Sequence, residues 1–150
     1  MTFLAKRHLR LGGRLTENAS ARMLLKCLFG GVGYGLVEVV WRGYTHPSMV
    51  ITGGVCFALI CAVNGRLAHR SLVCRSAACA ACVTAVEFCV GLLVNRVFRM
   101  GVWDYSDMWM DLLGQICPLY SCLWFGLCLV LSFVLSCVQR FTFSRNLQRQ

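Results

Sequence analysis

Acidic side chains are scarce in this chain: six Asp and Glu stand against fifteen Lys and Arg, and charged residues make up only 14% of its 150 positions. An ordinary soluble domain carries about 25% charged and about 45–50% apolar residues, whereas this chain is 58% hydrophobic with a mean hydropathy of +0.66. A soluble core of that composition would leave too little polar surface. The sequence also lacks the short motifs of catalysis: it has no GxSxG, no HExxH and no glycine-rich phosphate loop of the Walker type. These absences exclude the common hydrolase and nucleotidase chemistries and point away from an enzyme.

What is present is four apolar runs separated by short polar breaks, the pattern of an all-α membrane protein with a bundle of four transmembrane helices. The expected spans cover residues 24–41, 48–64, 76–97 and 114–138. A basic tail (1–23) precedes the transmembrane domain (24–138), and a second basic tail (139–150) follows it. Pro47 and Pro118 fall in the first turns of spans, where the missing amide donor is tolerated. The run after the first tail continues to Glu38 without a small-residue cleavage site, so it reads as a retained span and not a signal peptide.

The net charge of +9 does not describe a nucleic-acid surface, because the basic residues bracket the apolar runs instead of lining one helix. Twelve of the fifteen lie in the two tails, including Lys26, and in the break Arg66–Arg75; only Arg42, Arg96 and Arg99 fall on the other side. The positive-inside rule then places both termini in the cytoplasm, as for a multi-pass protein of the inner (plasma) membrane. The eleven cysteines lie mostly inside apolar runs, where Cys acts as a small hydrophobe. Cys79 and Cys82 form a CxxC without a partner set at zinc-ligand spacing, so no metal and no cofactor are expected.

Two carboxylates fall inside spans. Glu38 and Glu87 each lie twelve residues beyond a basic boundary residue, Lys26 and Arg75, which is roughly 18 Å of helix. A carboxylate at such depth usually faces the protein interior and marks a pathway, a proton relay or a partnered charge. Tyr34, Glu38 and Arg42 share one helical face, and Glu four residues before Arg is the favourable order for an ion pair. Glu87, Gly91 and Asn95 repeat the same spacing. Toward the outside lie His46 and the polar island Trp103-Asp104-Tyr105-Ser106-Asp107, rich in the aromatics found at bilayer interfaces. Together these predict an outward-facing substrate or ion site built on Glu38, Arg42, His46, Glu87, Asn95, Asp104, Tyr105 and Asp107. The island is expected to fold back as a cap, with Asp104 and Asp107 meeting Arg42, Arg96 and Arg99.

These residues resemble a known family of bacterial membrane proteins, the type IV ABC-transporter permeases. Glu38-Val39-Val40-Trp41-Arg42-Gly43-Tyr44-Thr45-His46 looks like its E-x-x-W-R-G-Y-T-H signature. Glu87 with Gly91 and Asn95, then Trp103-Asp104-Tyr105-Ser106-Asp107, Gly114-Gln115-Ile116-Cys117 and Trp124 follow in the family's order over residues 27–138. The chain departs from the pattern at Trp109-Met110-Asp111, where the family usually has proline, an aromatic and asparagine, and at Pro47, where an aromatic is frequent. The resemblance implies a transport or permease-type component whose ATPase is a separate subunit. The lipid bilayer is the expected environment, and a homo-oligomer is compatible with so small a unit. The rival expectation is a non-transporting scaffold or sensor whose Trp103–Asp107 loop docks a partner protein.

Overall fold

The computed structural model describes the backbone of residues 3–147 and the side chains of residues 19–141. The basic positions Lys6, Arg7, Arg10, Arg14, Arg145 and Arg149 therefore lie outside the described side chains. The fold is all-α, with helix α1 at Phe3–Arg42, α2 at Pro47–Arg66, α3 at Leu72–Gly91 and α4 at Pro118–Leu147. Among the described residues, four segments are long and apolar enough to cross a membrane: Ala19–Arg42, Pro47–Arg66, Leu72–Val97 and Pro118–Phe141. The expectation of four spans holds, with differences at their ends. Helix α1 continues back through the basic segment to Phe3, and the third span starts at Leu72. The fourth starts at Pro118 instead of Gly114, because proline fits the first helical position and Gly114 has a φ of +69° that no helix accommodates.

Backbone contacts divide the chain into two units, Met1–Ala58 and Leu59–Gln150. In the first unit α1 packs on the start of α2 through glycine. A Cβ on Gly30 would stand 2.2 Å from Cβ of Phe57, one on Gly53 would stand 2.4 Å from Cβ of Tyr34, and one on Gly54 would stand 2.4 Å from the Cys27 carbonyl oxygen. Removing the side chain at these positions is what lets the two backbones approach, the usual solution where lipid supplies no hydrophobic drive for helix association. The Phe29 and Phe57 rings close the contact at 5.5 Å.

In the second unit α3 and α4 pack along their length through small side chains. Ser76, Cys79, Cys128 and Ser132 are fully buried. The Ser76 hydroxyl donates to the Leu72 carbonyl at 2.8 Å and lies 3.4 Å from the Cys128 carbonyl. Asn64, near the end of α2, donates to Ser132 Oγ and to the Ile60 carbonyl, both at 3.0 Å. Cys79 of the CxxC is part of this interface, with its thiol 3.4 Å from the Asn64 amide nitrogen. Ser71 starts α3 by accepting from the Cys74 amide.

At the far end α3 passes into a π-helical turn over Leu92–Val97, closed by the Phe98 amide on the Leu93 carbonyl at 3.0 Å. Such turns rotate the side chains that follow them and occur frequently at functional sites.

The glycine contacts yield the first test. Gly54→Ala should lower the melting temperature in detergent by the equivalent of about 1–3 kcal/mol of overpacking, whereas Gly33→Ala, whose Cβ would meet nothing within 4 Å, should leave it unchanged or raise it. Equal effects of the two substitutions would refute glycine-mediated packing of α1 on α2.

Candidate functional site

The candidate residues fall into two groups, one in each unit. In the first, Glu38 is buried on α1 and carries two partners. Arg42 Nη2 stands 2.6 Å from Glu38 Oε1, and the Thr45 hydroxyl donates to Oε2. The arginine approaches off its N–H axis, so the contact is an ion pair by distance while Nε and Nη2 find no hydrogen-bond acceptor. The guanidinium lies 4.9 Å from the centre of the Tyr44 ring, a cation–π distance. His46 starts α2: its Nδ1 accepts from the Ser48 amide at 3.3 Å and lies 2.7 Å from the Ser48 hydroxyl, and its carbonyl accepts from Met49. The ring thus acts as a helix cap, and Gly43 at φ +80° makes the turn that brings it there.

In the second unit the stripe Glu87–Gly91–Asn95 is the seat of the loop that follows the π turn. Glu87 is 4% exposed, and its two oxygens accept from neutral donors: the Trp124 indole at 2.6 Å and the Tyr105 hydroxyl at 3.3 Å. Gly91 is bare because the loop lies on it: a Cβ there would meet Gln115 Oε1 at 2.5 Å and the Trp103 ring at 3.0 Å. Asn95 donates to Gln115 Oε1 at 2.9 Å and accepts from the Val102 amide at 2.8 Å. The Trp103 indole donates to the Gln115 carbonyl at 3.1 Å, and the Tyr105 ring stacks on Tyr120 at 4.4 Å. The cap expected from the sequence is therefore formed, and it is seated on this stripe.

The expected ion pairs of the cap are not. Among the described residues, Asp104 makes no salt bridge; its Oδ1 accepts from the Ser106 hydroxyl at 2.6 Å and the Ser106 amide at 3.0 Å. Those two hydrogen bonds hold its carboxyl below the usual aspartate range, with a smaller contribution from nearby Arg96. Arg96 itself donates to the Leu113 carbonyl at 3.2 Å. Asp107 is exposed. The reason is local: an Asp two residues before an amide closes an Asx turn on its own backbone, which competes with a distant arginine.

Asp111, further along the loop, has a comparable task. Its Oδ2 accepts from the Gly114 amide at 2.7 Å, and the Tyr105 amide donates to the Gly114 carbonyl at 2.8 Å. Gly114 must be glycine on two counts, its φ of +69° and the 2.6 Å that a Cβ would leave to Asp104 Oδ1. Thr45, Gln115, Tyr120 and Trp124 complete the two groups, and none was singled out as a site residue by sequence reasoning. Thr45, Gln115 and Trp124 were visible only as motif positions; Tyr120 gave no signal of its own.

The four apolar helices define a multi-pass α-helical membrane protein. A family model described as "Putative ABC-transporter type IV" matches residues 27–149, and the chain belongs to that family. Comparisons with curated proteins and with solved structures returned no match.

Replacing Glu87 separates its hydrogen bonds from its charge. Glu87→Gln keeps an acceptor for Trp124 and should destabilise little, whereas Glu87→Leu leaves two donors unsatisfied at about 1–3 kcal/mol each, read as melting in detergent. A leucine variant as stable as the glutamine one would refute the arrangement. For Asp104 the sign follows from its lowered value: whatever its ionised form contributes is present above the ordinary aspartate range and lost as pH falls through the lowered one. Its titration by NMR should therefore show a midpoint below that of an ordinary aspartate, and Ser106→Ala should move it back up.

Proposed function

We propose that this protein is the membrane component of a transport system, with a site facing outward from the inner membrane and a separate subunit that hydrolyses ATP. The single observation that carries the proposal is Glu87: a carboxylate inside a span, 4% exposed, held by two neutral donors and by no cation among the described residues. An intramembrane carboxylate without a countercharge is a site for a proton or a cation, and here one of its two donors, Tyr105, belongs to the loop. A loop that both covers the carboxylate and bonds to it can couple occupancy at Glu87 to its own position. Glu38, Arg42 and His46 supply a second polar group, with Asn95, Asp104 and Asp107 anchoring and rimming the cap. The chain contributes no catalytic group in this reading. Family membership supports the ATPase partner, and the distribution of basic residues supports cytoplasmic termini.

A second reading, a scaffold or sensor that docks a partner through the loop, is favoured by one observation. Trp109 is 79% exposed and Met110, Leu112 and Leu113 are also exposed beside it, while Met110 and Leu113 are held at φ +54°. This is an ordered apolar lip whose side chains face away from the protein.

The two readings separate on purification from native membranes. The transport reading expects a nucleotide-binding subunit to accompany the chain and its ATP turnover to depend on it, with Glu87→Gln folded but reducing that turnover by about tenfold or more, a loss of about 1.4 kcal/mol or greater. Absence of any such subunit together with a silent Glu87→Gln would transfer the loop to the docking reading. Orientation is tested separately: a cysteine placed at position 45 or 106 in a background lacking the native cysteines should react with an impermeant reagent from outside. Labelling of position 106 only after the membrane is permeabilised would reverse the topology.

A further inference from the structure

At the opposite end of the second unit from the loop, an arginine is buried with no countercharge among the described residues. Arg75 lies in the first turns of α3 and is only 9% exposed. Its Nη2 donates to Ser136 Oγ on α4 at 3.0 Å, Ser136 in turn donates to the Ser132 carbonyl at 2.7 Å, and Nε is buried with no acceptor. The acids of this unit cannot reach it. Glu87 is twelve residues further along the same helix, roughly 18 Å away, and Asp104, Asp107 and Asp111 all follow the end of α3. The nearest charges along both helices are of its own sign: Arg66 and Arg70 are exposed just before α3, and Arg140 is exposed one turn beyond Ser136, the partner of Arg75 on α4.

A buried cation held by one neutral hydroxyl is incomplete. A helical arginine leans toward the helix N-terminus, which here points its guanidinium to the start of α3, where the span meets the membrane surface. The helix dipole is positive at that same end. The segment that begins there, Leu72–Val97, is long and apolar enough to cross a membrane. The surroundings call for an anion above and hydrocarbon beside it, which is the chemistry of an anionic phospholipid; basic pockets between transmembrane helices bind such headgroups.

We infer that Arg75, with Ser136 and the flanking Arg66, Arg70 and Arg140, forms a binding site for the phosphate of an anionic phospholipid. The lipid supplies the countercharge that the described residues do not provide, with the planar guanidinium fork offering a paired contact to phosphate oxygens. This inference does not depend on whether the protein transports anything.

The test uses the full chain in mixed detergent–lipid micelles holding equal phosphatidylglycerol and phosphatidylcholine, with retained lipid measured by native mass spectrometry and melting measured in parallel. The expected result is retention of phosphatidylglycerol over phosphatidylcholine by about fivefold or more, the preference that about one fully engaged basic residue provides. Arg75→Gln should bring that ratio close to one, Arg75→Lys should fall between, and Arg96→Gln with Arg99→Gln, at the other end of α3, should leave it unchanged. If Arg75→Gln does not fold, the lysine variant and Arg70→Gln with Arg140→Gln decide, each expected to lower the ratio. Phosphatidylglycerol should also raise the melting temperature, and inorganic phosphate should not. Equal retention of the two lipids by the unaltered chain, or a folded Arg75→Gln that keeps the preference, would overturn the site. A melting shift reproduced in full by inorganic phosphate would overturn the lipid and assign the site to free phosphate.

Discussion

The second unit depends on a loop being seated on one stripe of one helix. Residues 102–117 return across the end of α3, and they can lie there because Gly91 offers no side chain between Glu87 and Asn95. Each of the three positions then engages the loop differently: Glu87 through Tyr105, Gly91 by leaving room for Trp103 and Gln115, and Asn95 through Gln115 and the Val102 amide. Backbone polar groups near a bilayer need partners, and this stripe supplies several of them. The Asp104–Ser106 and Asp111–Gly114 turns fix the rest of the loop, so it behaves as an ordered lid instead of a tether.

The π turn follows from the same constraint. A regular helix through Asn95 would carry it on along the face of Glu87 and Gly91, four residues per step, in line with the sequence spacing. The widened turn over Leu92–Val97 alters that direction just where Asn95 must reach both a side chain and a backbone amide of the returning loop. Arg99 and Gly101, both at positive φ, then reverse the chain. Local irregularity here lies where the helix hands over to the loop, the place where hydrogen bonds of a regular helix would otherwise be left without partners.

The helices were legible in the sequence because each is an apolar run ended by arginine, glycine or proline, and period and hydropathy need no tertiary information. The stripe Glu87–Gly91–Asn95 and the cap were legible too, the first from spacing by four and the second from aromatics and acids between two spans. The partners were not. Asp104 and Asp107 invited pairing with the scarce arginines of that side, yet Asp104 closes a turn on Ser106, because a contact two residues away has almost no chain entropy to overcome. Trp124 reaches Glu87 across 37 positions of sequence; the motif marks the residue, but its Leu and Phe neighbours give no sign of which partner it meets. Arg75 read as one more boundary charge, and only its burial distinguishes it from Arg66 and Arg70.

Glu38 and Glu87 show how little depth alone decides about a carboxylate. Both sit a similar distance into a span from a basic boundary, and both are buried. Glu38 has an arginine four residues away on its own helix, so its charge is balanced within one turn, whatever happens elsewhere. Among the described residues, Glu87 has an indole N–H and a phenol as its partners and no cation. Hydrogen bonds from neutral donors remove the penalty of an unmade bond but only part of the penalty of desolvating an ion. The first carboxylate is thus paired within its own helix, and the second is held by two neutral donors, one of them a hydroxyl of the loop.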